Sequence, residues 1–327
     1  MAAANSCLIF CLIFLTNSSD SAKILGVFPT AAPSHYILGN ALLRGLAEAG
    51  HNVTMIKAIK KIDPFMAEYK SPMLSVVMGS LFSTAYTEKT LNHTEVQKLV
   101  RSNEKFDVVI AGQFANDAVK AFAAHFDAHL IIFSSVYANS MINHLVGNPS
   151  LPSFAPEIMS NFPPRMSFFQ RLYNTIIKFI FYMTHVIWVY PIQNGLIKKY
   201  FPQPVEIDEV LYNVSLILLN SHPSISSPQP YVPCMIDIGG FHIKPPKKLP
   251  ADLQSFLDNA TEGVIYFSMG SNIKSKDLPL EKRNAILKAF SNLKEKVLWK
   301  WEDDVLPDQS PNVRLGKWLP QQDILGR

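Results

Sequence analysis

The sequence predicts an α/β fold built from two Rossmann-like units, and three observations carry that expectation. Short apolar runs alternate with helical-period stretches from residue 23 onward. The first group packs strand, loop, helix and strand into 36 residues, Lys23 to Ala58, the size of a right-handed βαβ unit with parallel strands. A proline- and lysine-rich segment, HIKPPKKLP (His242 to Pro250), then divides the chain before the alternation resumes.

The elements follow in order. KILGVFP reads as a buried strand and TAAPS as a loop. The next stretch places Leu38, Ala41, Leu42, Gly45, Leu46 and Ala49 on one helical face, with Gly50 as its C-cap. HNVTMIKA is a second strand, FDVVIAG a third, NDAVKAFAAHF (116–126) a helix and AHLIIFSS a fourth strand. An insertion over roughly 137–205 is rich in proline and aromatic residues. Its segment IIKFIFYMTHVIWVYPI (Ile176 to Ile192) is apolar but interrupted by Lys178, His185 and Pro191. The composition leaves a transmembrane helix open but favours a buried or interfacial one. SLILLNS (Ser215 to Ser221) is another strand. After the linker come helix ADLQSFLDNA, strand GVIYFS, loop MGSN, helix LEKRNAILKAFSNL, strand KVLWKW and finally VRLGKWLPQQDIL. The expected boundaries are a signal peptide over 1–22, a first domain over 23–243, a linker over 244–250 and a second domain over 251–327.

Composition narrows the function classes. The 327 residues are 48% apolar and 17% charged, enough to bury a large core and too apolar for disorder. The net charge of +4 is scattered in short lysine pairs, without the dense basic stripe of a nucleic-acid binder. CLIFCLIFL (Cys7 to Leu15) followed by small polar residues reads as a secretory signal, although no Lys or Arg precedes it. The secretory pathway, and the endoplasmic reticulum lumen within it, is the expected location. Outside that signal Cys234 stands alone, so no disulfide is expected within the chain. Of the four sequons beyond that signal, Asn92 and Asn259 lie in polar stretches and are the glycosylation candidates. Asn52 and Asn213 adjoin predicted strands, which argues against them.

Three stretches invite chemistry, and each has an ordinary alternative. GVIYFSMGSN runs a strand into Ser268, Gly270 and Ser271. Such a turn can offer backbone N–H groups to a phosphate, or can be a plain tight turn. In KWLPQQDIL, Trp318 can stack on a base while Gln321 bonds its edge, or can be a core tryptophan. His35, at the start of the first helix, can be a proton acceptor or a surface residue.

Taken together, VIYFSMGS, VLWKW and KWLPQQDIL, in this order and spacing, resemble the UDP-glycosyltransferase family, with the animal, insect-like enzymes nearest. KILGVFPTAAPSHYILGNALLRGLAEAGHNVTMI, FDVVIAGQFANDA and YVPCMIDIGGFHIKPPKKLP extend the likeness over nearly the whole chain. The resemblance implies a GT-B fold and inverting transfer of a hexosyl group, from UDP-glucose or UDP-glucuronate to a small lipophilic acceptor. It implies no metal and no cofactor beyond the UDP-sugar co-substrate. His35 would be the base, kept neutral by its helix N-terminus. An acidic partner is expected where Gly112 stands, so Asp117, five residues on, is the nearest replacement. Ser271 and Ser268 would meet phosphate, Lys300 would neutralise its charge, Trp318 would stack on uracil and Gln321 would contact the uridine. In the family a His-Pro and then a Thr-His-Gly-Gly stretch follow QQDIL. Without them the second domain is expected to be incomplete and the chain weakly active or inactive. A non-catalytic short form that binds acceptors or pairs with full-length enzyme is the alternative. Homo- or hetero-oligomers and peripheral membrane contact complete the expected partners.

Overall fold

A computed structural model describes residues 21–30, 32–57, 72–158, 160, 162–270 and 274–326. The signal-peptide stretch 1–20 and Ser271 lie outside them. The described chain divides into two compact units, the first running to Gly239 and the second from Gly240 onward, with the short stretch Ala32–Ser34 grouped with the second.

The first unit holds β1 (Lys23–Phe28), α1 (Pro33–Glu48), β2 (Asn52–Lys57), α2 (Pro72–Leu91), α3 (Thr94–Val100) and β3 (Val108–Gly112). Next, a 3₁₀ turn (Asp117–Lys120) runs into α4 (Ala121–Phe126), so the helix expected over 116–126 opens as a tighter coil. β4 (His129–Ser134), α5 (Ser140–Asn143), α6 (Phe168–Thr184), α7 (Tyr190–Tyr200), α8 (Ile207–Leu211), β5 (Leu216–Leu219) and β6 (Met235–Asp237) complete it. The strands are all parallel, in the order β2-β1-β3-β4-β5-β6. Strands buried on both faces are read from near-continuous apolar runs, as in VVIAG and LILL. In α1 the fully buried residues are Gly39 and Leu43, while Leu38, Leu42 and Leu46 are only half-buried. The reason is local. Gly26 of β1 has no Cβ, and the Leu43 side chain fills the space one would need, 2.2 Å from its Cδ1.

α6 begins with a capping box. The Ser167 hydroxyl accepts from Gln170 N–H, and the Gln170 side chain accepts from Ser167 N–H. A π-helical turn (His185–Val189) joins α6 to α7, giving 33 helical residues from Phe168 to Tyr200. By length and composition this helix could cross a membrane. Two of its polar residues, Asn174 and Gln193, however, face the protein. Asn174 holds Pro152 O, Ala155 O and Glu157 N, and Gln193 holds Thr84, Ala115 O and Ala118 N. Phe169, Phe179, Tyr182 and Trp188 lie on the exposed side. The helix is therefore anchored to its own unit through buried amides.

The second unit holds α9 (Ala251–Asp258), β7 (Val264–Phe267), α10 (Leu280–Ser291), β8 (Lys296–Lys300), β9 (Val313–Gly316) and α11 (Gln321–Leu325). Its parallel sheet has the order β7-β8-β9. Alternation along β8 explains the layering. Val297 and Trp299 pack with Leu287 and Phe290 of α10, while Leu298 packs with Leu253 of α9 and Ile324 of α11. Trp299 is fully buried among Phe267, Phe290 and Trp301.

Candidate active site

In the order β2-β1-β3, the connections from β1 and β3 leave toward opposite edges of the sheet. Open parallel sheets bind ligands at the carboxyl ends of strands flanking such a switch point. There Phe28 ends β1 and Thr30 lies just beyond it, Gly112 ends β3 with Gln113 next, and Phe133 lies near the end of β4 with Ser135 just beyond it. Together with His35 they line a small, open cleft.

Local sequence puts His35 there. Pro33 opens α1, where its missing N–H is no loss, and His35 follows in the first turn. The Ser135 hydroxyl lies 3.3 Å from His35 Nδ1 and 3.2 Å from Nε2, facing the ring edge between them. Phe114 meets the imidazole edge-on, 5.2 Å between centroids and at 89°. A clasp sets Phe114: Asn116 Oδ1 accepts from Phe114 N–H at 2.6 Å, and its Nδ2 donates to Gly112 O at 2.7 Å. The intervening Ala115 takes φ +51°, a left-handed backbone that a non-glycine residue rarely adopts. Burial pushes the His35 imidazolium down to about 4, so the ring is neutral at pH 7.

That shift has a stability consequence. The unfolded chain takes up His35's proton near the ordinary 6.5, well before the folded chain does. Its contribution to stability is complete above that pH and is lost as pH falls toward 4. His35→Gln should therefore flatten the decline of melting temperature between pH 6.5 and 4. Part of the decline will remain, because burial also lowers the pKa of His144 and His185.

Gly112 is closed to an acidic residue by packing. A Cβ there would stand 2.7 Å from Phe28 Cδ1, and one at Gly39 would stand 2.6 Å from the same ring. The Phe28 side chain occupies the slot between these two glycines. Gly112→Ala, which strand propensity alone would favour, is expected to destabilise by about 1–3 kcal/mol through overpacking, read as a lower urea midpoint.

Asp117 does not replace the missing acid. Its Oδ1 accepts from Lys120 Nζ at 2.7 Å and from Gln113 Nε2 at 2.9 Å, and the residue is buried. Burial alone would raise its carboxyl. The Lys120 charge and hydrogen bond, with Gln113, outweigh this and hold it at about 2. The 3₁₀ turn directs residue 117 inward to Lys120, and His35 faces the Ser135 hydroxyl instead. Ser135 went unnoticed in the sequence. FSS at the end of a strand beside a switch point was the available signal.

The donor-side candidates lie in the second unit. The Ser268 hydroxyl accepts from Gly270 N–H at 3.2 Å, and Gly270 takes φ +85°. That N–H is therefore satisfied within its own turn. Lys300 is buried at the end of β8, and its Nζ pairs with Glu302 at 2.6 Å. Its charge is partnered by Glu302 in this structure. Trp318 is 73% exposed, unlike the core residue Trp299. Gln321 opens α11 and accepts from Tyr266 OH at 3.3 Å. Asn92 and Asn259 are exposed, and so are Asn52 and Asn213, whose strand neighbours do not hide them. No group of three metal-ligating side chains occurs among the described residues.

A family model described as UDP-glucoronosyl and UDP-glucosyl transferase matches residues 55–327. The chain belongs to this family. This UDP-glycosyltransferase chain is 33% identical over 338 residues to UDP-glucosyltransferase 2 of Dactylopius coccus, covering 95% of the chain and 65% of the relative. With UDP-glycosyltransferase UGT5 of the same organism it is 34% identical over 336 residues, covering 93% and 63%. The chain thus spans a little under two thirds of these relatives' length. Among solved structures it resembles the calicheamicin glycosyltransferase CalG4, with a TM-score of 0.56 at 17% identity, over 94% of this chain and 73% of that one. That likeness establishes a GT-B-type α/β fold. Members of the family use a UDP-sugar as co-substrate and need no further cofactor.

Proposed function

We propose that this protein transfers a hexosyl group, glucose or glucuronic acid, from a UDP-sugar to a small lipophilic acceptor with inversion. His35 takes the acceptor's hydroxyl proton. As the acceptor oxygen bonds to the anomeric carbon, the bond from that carbon to the diphosphate breaks and UDP leaves. The observation that carries this reading is a neutral imidazole at the switch-point cleft, on the helix that follows β1. Neutral at pH 7, it is free to accept a proton. Phe28, Phe114 and Phe133 around it suit an apolar acceptor.

Trp318 supports a uridine contact, since an indole with an open face can stack on a flat base. Trp318→Ala should weaken UDP binding by about 1–3 kcal/mol, measured by calorimetry; unchanged affinity would remove Trp318 from the donor site. The reading as a whole is tested with UDP-glucose or UDP-glucuronate and a phenol. UDP should appear with wild-type chain and not with His35→Ala. Acceptor binding without UDP release would favour the non-catalytic alternative.

We also place the protein in the secretory pathway, the endoplasmic reticulum lumen, with α6 and α7 resting on the bilayer surface. The aromatic outer face of that helix supports the membrane contact. Glycosidase treatment should shift the mobility of protein from secretory expression, less so for Asn92→Gln and Asn259→Gln. Phe169→Glu with Phe179→Glu should reduce co-flotation with liposomes.

A further inference from the structure

Resting on the transfer reading above, we infer that Asn116 and Gln193 are positioning residues for His35. Both act through Phe114, the ring they hold against the imidazole.

The loop between β3 and the 3₁₀ turn carries the strain. Ala115 stands there at φ +51°, a left-handed backbone that a residue with a Cβ adopts only at a cost. Such strain persists where the surroundings over-determine it, and it gathers at functional sites. Here they do over-determine it. Asn116 takes the Phe114 N–H at 2.6 Å and gives its own N–H to Gly112 O at 2.7 Å. Gln193 reaches in from α7, donating to Ala115 O at 3.0 Å and accepting from Ala118 N–H at 2.9 Å. Ser83 of α2 donates to Phe114 O, and Gln113 N–H donates to Phe133 O of β4 at 2.9 Å. Every residue from Gly112 to Ala115 thus has a backbone group pinned from outside the loop or by Asn116. Asn116 and Gln193 are buried, so losing either amide would leave backbone groups unpaired away from water. If the loop served only to join β3 to the turn, a glycine at 115 would do so without strain.

What the loop presents is Phe114. Its ring meets the His35 imidazole at 5.2 Å between centroids and at 89°. A histidine in the first turn of a helix is fixed at its Cα by that helix, but its ring still turns about two side-chain bonds. An edge contact with a second ring selects among those orientations. A base must come within about 2.6–3.2 Å of the proton it takes, and a misplacement of about 1 Å costs on the order of 10²-fold in rate. Fixing Phe114 therefore fixes the geometry of proton transfer, from two residues on different elements, the loop itself and α7.

The test reads His35 directly and needs no turnover. The full chain is prepared with carbon-13-labelled histidine, and the His35 ring signal is assigned by its loss in His35→Gln. Phe114→Leu should move that signal, because the aromatic ring current is removed. Asn116→Ala and Gln193→Met should move it in the same direction. Asn174→Leu is the control: it removes a buried amide from the same long helix that touches none of this loop. It should lower the melting temperature and leave the His35 signal in place. Where Asn116→Ala or Gln193→Met does not fold, Ser83→Ala, which frees only Phe114 O, carries the same expectation. A stationary His35 signal in the folded loop variants, or equal movement in Asn174→Leu, would overturn the proposal. With UDP-glucose and a phenol, Asn116→Ala and Gln193→Met should lower kcat at least 10-fold with the phenol KM within threefold, while Asn174→Leu stays within twofold of wild type. An unchanged kcat in both loop variants would equally overturn it. A wild-type chain that releases no UDP defeats the transfer reading, and the His35 signal then decides the positioning role by itself.

Discussion

Lys120→Met should destabilise the first unit by about 3–5 kcal/mol, the usual consequence of leaving one member of a buried ion pair uncompensated. Lys120 is 0% exposed, and its ammonium lies 2.7 Å from Asp117 Oδ1. Burial pushes the lysine's own pKa down, but the adjacent carboxylate keeps it charged. Domains of this size carry about 5–15 kcal/mol in all, so the single substitution should lower the urea midpoint severely. Asp117→Leu combined with Lys120→Met should recover most of the loss, because two apolar groups need no partners. The pair also sets a pH limit. Asp117 titrates at about 2 when folded against 3.8 when free. Its contribution is present above 3.8 and is lost as pH falls through 2. If Lys120→Met melts like wild type, the pair is not a structural anchor. Asp117 also holds Gln113, which lines the His35 cleft, so the lysine variant should perturb acceptor binding as well.

His35→Ala should lower kcat by about 10²–10⁴-fold, the range that general-base catalysis supplies. UDP affinity should be unchanged, because the proposed uridine contacts, Trp318 and Gln321, belong to the second unit. The measurement is UDP release at saturating phenol beside calorimetric titration with UDP. A fall in affinity comparable to the fall in rate would assign His35 to binding. Above about pH 5 the wild-type rate should not follow the protonation of His35, since burial keeps the imidazole neutral there.

Much of the fold was legible because its signals are local. Apolar runs marked β1 to β5, β7 and β8, while the short β6 and β9 were not read as strands, and the alternation of strand and helix implied the layering. His35 and Trp318 were singled out by the family resemblance; the structure puts His35 on the wall of the cleft and leaves Trp318 exposed. Asp117 was misleading for a physical reason. Sequence distance from Gly112 says nothing about direction, and a 3₁₀ turn rotates its residues differently from an α-helix. Lys120, three residues on, was the visible hint that the carboxylate had another partner. The sequons at Asn52 and Asn213 were discounted for adjoining strands, yet both asparagines are exposed. The helix from Phe168 to Tyr200 shows the limit most plainly. Its apolar content was obvious, but Asn174 and Gln193 point inward and Phe169 and Trp188 outward.

By itself the sequence determined the family and the two parallel α/β units, because order, spacing and period are properties of the chain alone. The tertiary structure decided what surrounds His35. Phe28, Gly39 and Gly112 come from three separate elements, and only their packing shows one ring filling the slot between two missing side chains. Ser135, a hundred residues from His35, becomes its neighbour because both sit where parallel strands end.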